Sequence, residues 1–435
     1  MDEKSPSPQD PPRLPTAAQR PADAAHDLLV RPAFDHRAAL TIVLGTLLSL
    51  FLAALDQTIV ATALPSIART LGDAENMAWV VTAYLLAATA VTPLYGKLSD
   101  IHGRRTMMLI GIGVYAAGSL ISALALNMLA LIAGRAVQGL GGGGLMSLTQ
   151  TIVGDVAPPR ERPRFQAYTS SVFLFSTVGG PVVGGLVTEY LHWSLIFWLN
   201  LPLCAIAFLL SFFVLRRLPR HERPHALDIA GAVLMVGAAL ALMLALTWGG
   251  RRYPWASPQI VALFAGSAVL WALFAWRVSR AAEPFIPLSV LRDKVVLLGT
   301  GASFFAVGIM IALTIFLPLY MQLALGLSVV GSGMAIIALQ GAATLTSIGG
   351  GRLIARIVRY KLVPAAGLAL AIAALVPLIV EPAGLPVWAV IALIALIGLG
   401  MGPMFPFTIV VVQNAVAMSH LGIATGTMNF FRNLG

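Results

Sequence analysis

Gly96-Lys97-Leu98-Ser99-Asp100-Ile101-His102-Gly103-Arg104-Arg105 separates two apolar runs, Ala78–Tyr95 and Met107–Leu126. Each run exceeds the roughly 17 residues that a helix needs to cross a hydrocarbon core about 30 Å thick. These ten residues, followed by Thr106, therefore read as a tight turn joining two membrane helices. Its two glycines permit a sharp bend with close helix approach. An acid and an arginine pair in so short a loop can form inter-helix ion pairs that break and re-form.

Working outward, the same pattern repeats. The expected spans before and around the loop are Ala39–Val60, Ala78–Tyr95, Met107–Leu126, Met128–Val153, Tyr168–Val187 and Leu195–Leu215. A second set comprises Ile229–Leu246, Gln259–Trp276, Val295–Tyr320, Val329–Ile348, Leu362–Val380 and Val387–Val412, giving about 12 transmembrane helices and an all-α polytopic fold. The composition agrees: 58% of the 435 residues are hydrophobic and only 11% charged, against roughly 25% charged in a soluble domain. A chain this apolar cannot hide its surface in one soluble core, which excludes a cytosolic enzyme.

The net charge of +10 raises the possibility of nucleic-acid binding, but its distribution explains it otherwise. With the N-terminal tail placed in the cytoplasm, only Arg69, Arg251 and Arg252 fall outside. Arg135 lies within a span and Arg432 near the end, and every other Lys and Arg falls in the tail or in inward loops. That asymmetry is the positive-inside pattern, so no nucleic-acid partner is expected. The single Cys204 excludes an intrachain disulfide, and no Asn-x-Ser/Thr acceptor occurs.

Ionised residues at membrane depth cost about 2.5–3.5 kcal/mol and mark function. Two appear: Asp56, in the outer part of the first helix, and Arg135 in the fourth. As the only acid at depth, Asp56 is the candidate proton-coupling carboxylate, and Arg135 is the second candidate for proton coupling. Trp79, Tyr84, Tyr115, Phe173, Phe305, Tyr320, Gln340 and Gln413 are candidates to line a cavity. Two apparent motifs are rejected. Gly139–Gly144 matches a dinucleotide fingerprint but sits inside an apolar run with no preceding strand, so close helix packing explains it better. His221-Glu222-Arg223-Pro224-His225 matches a zinc-protease pattern, but Pro224 is unsuited to a helix interior, so neither a metal nor a cofactor is expected. A phosphate-binding G-x-x-x-x-G-K-[ST] loop is absent from the chain, which removes ATP as internal energy source.

The loop at Gly96, Asp100, Gly103, Arg104 and Arg105 resembles the Gly-x-Leu-x-Asp-x-x-Gly-Arg-Arg pattern of the major facilitator superfamily at every fixed position. Arg135, Gln138 and Gly139 look like its Arg-x-x-Gln-Gly motif. Gly180, Pro181, Gly184 and Gly185 are similar to its antiporter signature Gly-Pro-x-x-Gly-Gly. The segment from Leu55 to Pro65 resembles the first-helix motif of fourteen-helix drug:proton antiporters of the multidrug efflux type, with Ala61 in place of Asn. Ser176 stands where the antiporter signature has an earlier Gly. Gly180 and Gly184 also form a small-x-x-x-small face suited to close packing.

The resemblance implies two helical halves with two extra helices between them. The expected division is a disordered cytoplasmic tail over 1–37, a six-helix half over 38–218, two inserted helices and linkers over 219–294, and an incomplete second half over 295–435. A degenerate copy of the loop, Gly351-Arg352-Leu353-Ile354-Ala355-Arg356-Ile357-Val358-Arg359, fixes the second half's start at the ninth helix. The last residues read as the start of a thirteenth helix. The expectation is a chain two helices short of a complete transporter, with an open groove and weak transport. The implied activity is export of drug-like or amphipathic small molecules in exchange for protons across a plasma or inner membrane, by alternating access. A proton-coupled importer and a transport-inactive fragment or sensor are the alternatives. Engagement of an outer-membrane or adaptor partner is left open.

Overall fold

The computed structural model describes residues 36–73, 75–218, 228–281, 283–327, 329–356, 361–381 and 384–435. The expected tail lies outside them except for its last two residues, which already belong to the first helix. His221–His225 and Ile357–Arg359 also lie outside.

The first six helices are α1 (His36–Leu71), α2 (Trp79–His102), α3 (Arg104–Ala123), α4 (Met128–Val156), α5 (Arg162–Tyr190) and α6 (Leu195–Val214). They are followed by α7 (Ile229–Trp248), α8 (Pro258–Arg280) and the short α9 (Leu288–Arg292). The remainder are α10 (Lys294–Leu323), α11 (Val329–Arg356), α12 (Leu362–Val380), α13 (Val387–Met401), α14 (Met404–Ala415) and α15 (Leu421–Leu434). No strand occurs among the described residues, as lipid demands of a chain that must satisfy its backbone within each segment.

Ten membrane-length apolar spans are present among the described residues, with α13 and α14 counted as one. α4 is long enough but less apolar, because its Gly, Ser, Thr and Gln residues face protein: from Gln138 to Val156 almost every side chain is buried. The helices start within about six residues of the expected spans, but several run on past them: α1 ends at Leu71 where Val60 is expected, α2 at His102 where Tyr95 is expected, and α11 at Arg356 where Ile348 is expected. Gly96–His102, read from the sequence as part of a turn, therefore forms the end of α2, and only Gly103 separates it from α3. A further difference is at the twelfth span, where Gly402 and Pro403 break one expected run into α13 and α14. Pro403 has no N–H and its ring clashes with the preceding turn. The apolar character continues across the break, so hydropathy alone does not register it.

α4 runs between α2 and α3, α1 lies along α5, and α6 covers α3 and α1. α7 and α8 form a hairpin whose first residue is tied down by Asp228. This carboxylate caps the N–H of Gly231 at 3.0 Å, accepts from the Phe285 N–H at 3.3 Å and meets Arg277 Nε at 3.1 Å. Trp271 on α8 then stacks against Phe431, and Trp248 on α7 meets Trp79 on α2. α10 to α13 enclose their own apolar core around Met310, Leu339, Ala371 and Ile394.

The largest contacts between the early helices and the late ones are α2 with α15 and α5 with α11, and α4 also meets α15 and α5 meets α14. The two largest contacts fall at the end of the bundle that carries Gly96 and Gly103. Gly96 meets the Gly422 backbone, Gly351 meets Pro163, and Ser170 Oγ lies 2.8 Å from Ser347 Oγ. This is the Gly96 end of the bundle, and the opposite one is its far end.

Candidate functional site

Asp56 lies wholly inside the protein, and Arg135 is 1% exposed. Arg135 is seven residues into α4, which places it about 10 Å from that helix's start at the far end. Its Nη1 reaches Asp56 Oδ2 at 2.5 Å and Gln138 Oε1 at 2.6 Å, while Nε donates to the Val80 carbonyl at 3.0 Å. Gln138 sits three residues on, on the same face of α4. Its Nε2 donates to the other carboxylate oxygen, Asp56 Oδ1, at 3.0 Å and to Ser119 Oγ at 2.9 Å. Asn200 Nδ2, from α6, approaches Asp56 Oδ1 at 3.3 Å.

One carboxylate thus receives donors from α4 and α6 while the guanidinium is also held by α2. The Arg135 guanidinium lies 4.4 Å over the Tyr84 ring, a cation–π contact strengthened by the burial of both side chains. Such an ion pair is costly to bury and costlier to break, since either partner left alone is an uncompensated charge. A proton delivered to Asp56 cancels the attraction while leaving Arg135 its Gln138 and Val80 acceptors. The cluster can therefore change the link between α1 and α4 without unfolding either helix.

Two turns of α1 beyond the carboxylate complete its surroundings. Thr58 Oγ1 donates to the Ser176 carbonyl of α5 at 2.8 Å. A side chain on Gly180 would collide with Thr58, and one on Gly184 with Thr62 and the Ile59 carbonyl. Gly185 faces open space, so Gly180 and Gly184 are the motif glycines on which the α1–α5 contact depends. Gly139, Gly141 and Gly143 play the same part on α4, meeting the backbones of Tyr84, Tyr115 with Gly111, and Ala88.

At the Gly96 end a second charged cluster forms. Arg104 Nη1 meets Asp100 Oδ1 at 2.6 Å and its Nε meets Asp155 Oδ2 at 2.7 Å, joining α2, α3 and α4. Asp100 also accepts the N–H groups of Gly422 and Ile423 at 3.3 and 3.0 Å, placing a negative charge on the first turn of α15. Gly103 has φ 86°, a left-handed conformation that explains the glycine between the helices. Arg105 stands apart from this ion-pair cluster: its guanidinium stacks 4.3 Å over the Phe212 ring.

Of the residues expected to line a cavity, Tyr84 and Tyr115 both lie near Asp56, while others are spread through the bundle. Tyr84 belongs to the Asp56 cluster, and buried Tyr115 donates to the Leu52 carbonyl at 3.1 Å. Gln340 binds Thr314 at 3.1 Å, and Gln413 reaches the Gln150 carbonyl at 2.9 Å. Phe305 is exposed. Asn200, Ser119 and Arg162 were missed. A polar amide in the second turn of the apolar run Leu195–Leu215 is the signal that points to Asn200.

A multi-pass helical bundle with a buried acid–arginine pair and a charged loop clasping a distant helix defines a membrane transporter. Residues 46–435 match the Major Facilitator Superfamily, and the chain belongs to that family. The chain is 34% identical over 398 residues to the Multidrug transporter protein MdtP of Bacillus subtilis (strain 168), covering 91% of this chain and 72% of that protein. It is 33% identical over 383 residues to the uncharacterized MFS-type transporter Rv1877 of Mycobacterium tuberculosis (strain ATCC 25618 / H37Rv), covering 88% of this chain and 56% of the relative. The chain thus spans little more than half the length of this second relative. In structure it resembles the human organic anion transporter MFSD10 (TETRAN) with TM-score 0.65 and 19% identity over 91% of each chain, a likeness of fold.

Proposed function

We propose that this protein exports drug-like or amphipathic small molecules in exchange for protons, with Asp56 as the proton-coupling carboxylate and Arg135 as its counter-charge. The observation that carries the reading is the enclosure of the Asp56 carboxylate between Arg135, Gln138 and Asn200. A single titratable group in a water-excluded site can hold a proton in one state of the cycle and the arginine in the other. A membrane potential of about 100 mV supplies roughly 2.3 kcal/mol per charge, enough for about a fiftyfold gradient of a neutral substrate. The multidrug name of the Bacillus relative supports the substrate class.

The halves of the transporter are residues 38–218 and 295–435, with 219–294 an inserted hairpin and linkers. The reciprocal pairs α2 with α15 and α5 with α11 support this division, because they exchange under a two-fold if α11 is the second and α15 the fifth helix of the later half. The Gly96 end is cytoplasmic, in a plasma or inner membrane, on the distribution of Lys and Arg. Asp100, Arg104 and the neighbouring Gly96, Gly103 and Arg105 form the inner gate, closed in this arrangement.

The test is efflux of a fluorescent cationic dye from proteoliposomes under an imposed pH gradient. Dye movement should follow the gradient and vanish in Asp56→Asn. Gradient-independent flux, or undiminished flux in that variant, overturns the proton-coupled reading.

A further inference from the structure

α3 begins and α6 ends at the Gly96 end of the bundle, and the two helices pack against each other. Where they meet, two cations share one aromatic ring. The Arg105 guanidinium lies 4.3 Å from the centre of the Phe212 ring, and the Arg216 guanidinium, from the turn after Phe212, lies 4.3 Å from the same centre. The two guanidinium carbons are therefore no farther apart than twice that distance. Arg216 also lies 5.5 Å from the centre of the Phe213 ring.

Among the described residues neither guanidinium meets a carboxylate, and Arg105 Nε is shielded from water with no hydrogen-bond partner. The acids of this end are committed elsewhere, since Asp100 and Asp155 both hold Arg104. Two like charges brought this close at the edge of a low-dielectric membrane repel each other. The quadrupole of the ring attracts each of them but carries no net charge to set against theirs. A phosphate does, and its oxygens match the planar fork of a guanidinium.

The surroundings indicate what carries the phosphate. Both arginines lie at the ends of membrane-length helices, which puts their charged groups at headgroup depth with their stems along apolar surface. The Phe208 ring stacks against Phe212 at 6.5 Å and Phe213 meets it edge-on at 5.4 Å. Phe208, Leu209 and Phe213 are all exposed on the protein surface, an apolar face that suits hydrocarbon. A diacyl phosphate ester presents its oxygens and its chains in the same order along α6 as the arginines and these apolar side chains. Basic sites between membrane helices take such headgroups.

We propose that Arg105 and Arg216, arranged around Phe212, bind the phosphate of an anionic phospholipid whose acyl chains lie on Phe208, Leu209 and Phe213. The site is separate from the coupling carboxylate: Phe212 follows Asn200 by twelve residues on α6, about 18 Å along the helix. The inference goes beyond the exporter reading and does not depend on it.

The test is native mass spectrometry of the detergent-purified protein, titrated with dioleoylphosphatidylglycerol or with dioleoylphosphatidylcholine, whose choline cancels the phosphate charge. The first phosphatidylglycerol should bind at least about tenfold more tightly than the first phosphatidylcholine, the scale of one hydrogen bond to a charged group. Arg105→Gln and Arg216→Gln should each remove most of that preference. Arg280→Gln lowers the net charge equally but takes a cation that lies over a different ring, Trp276 at 5.7 Å, and should leave the preference intact. Equal binding of the two lipids by the parent, or an equal loss in all three variants, overturns the site. Should Arg105→Gln fail to fold, an unchanged preference in Arg216→Gln overturns it as well. Millimolar inorganic phosphate should not displace the lipid; displacement would assign the arginines to a free anion and overturn the phospholipid. The readout needs neither substrate nor pH gradient, so a failure of the exporter reading in the efflux assay is seen separately.

Discussion

Asp56 Oδ2 and Arg135 Nη1 lie 2.5 Å apart on α1 and α4, sealed from solvent, with the second carboxylate oxygen shared by Gln138 and Asn200. Asp56→Asn keeps an oxygen for Arg135 and the side-chain volume while removing the titratable group. Folding and membrane insertion should therefore survive, and pH-driven efflux should be lost. Size-exclusion behaviour and dye efflux, measured on the same preparation, check both halves of this expectation.

Removing the other partner leaves the opposite charge alone. Arg135→Gln leaves a buried carboxylate without its counter-charge, and breaking such a pair costs about 3–5 kcal/mol. Its thermal unfolding temperature should fall below the parent's, as that of Asp56→Asn should, since each single variant buries one uncompensated charge. Adding Asp56→Asn to Arg135→Gln should recover much of the loss, because the double variant buries no isolated charge. A double variant less stable than Arg135→Gln alone would show that the ion pair is not the source of the effect.

The residues of this pair were legible in the sequence because charge at membrane depth is rare and expensive. The rest of the cluster was not, for identifiable reasons. Asn200 is neutral and sits in a run whose apolar average conceals it, and the Val80 carbonyl has no side-chain signature at all. Arg162 reads, with Arg160 and Arg164, as one more cation in an inward loop; only the fold turns it into a buried bridge between the Gly154 and Gln413 carbonyls. Asp228 and Arg277 are 49 positions apart, so their pairing depends on the α7–α8 hairpin closing. The helix starts were legible from the apolar runs, but not all the ends, because α1, α2 and α11 continue through polar residues to Leu71, His102 and Arg356; the break at Gly402–Pro403 was submerged in uniformly apolar surroundings.

The antiporter-motif glycines should not be equivalent. On Gly180 a methyl group would meet Thr58, and on Gly184 it would meet Thr62, so Ala at either position overpacks the α1–α5 contact. Overpacking of this kind costs about 1–3 kcal/mol. Gly185→Ala meets open space and gains helix propensity worth up to about 1 kcal/mol. Thermal unfolding in detergent should rank Gly185→Ala at or above the parent and the other two below it. A uniform loss across all three would assign the motif to something other than this contact.

Asp100 touches Arg104 and the first turn of α15 at the Gly96 end, whereas the Asp56 cluster lies toward the far end. Asp100→Asn retains an acceptor for the Gly422 and Ile423 N–H groups but gives up the charge that favours α15's positive end and holds Arg104. Closure at this end should become less favourable by an amount that does not depend on what the protein carries. Turnover of chemically different dyes should accordingly fall by a common factor, with their order of preference unchanged. Maximal efflux rates for several dyes, compared between the variant and its parent, provide the check. A loss confined to one dye would place Asp100 in contact with substrate and remove it from the gate.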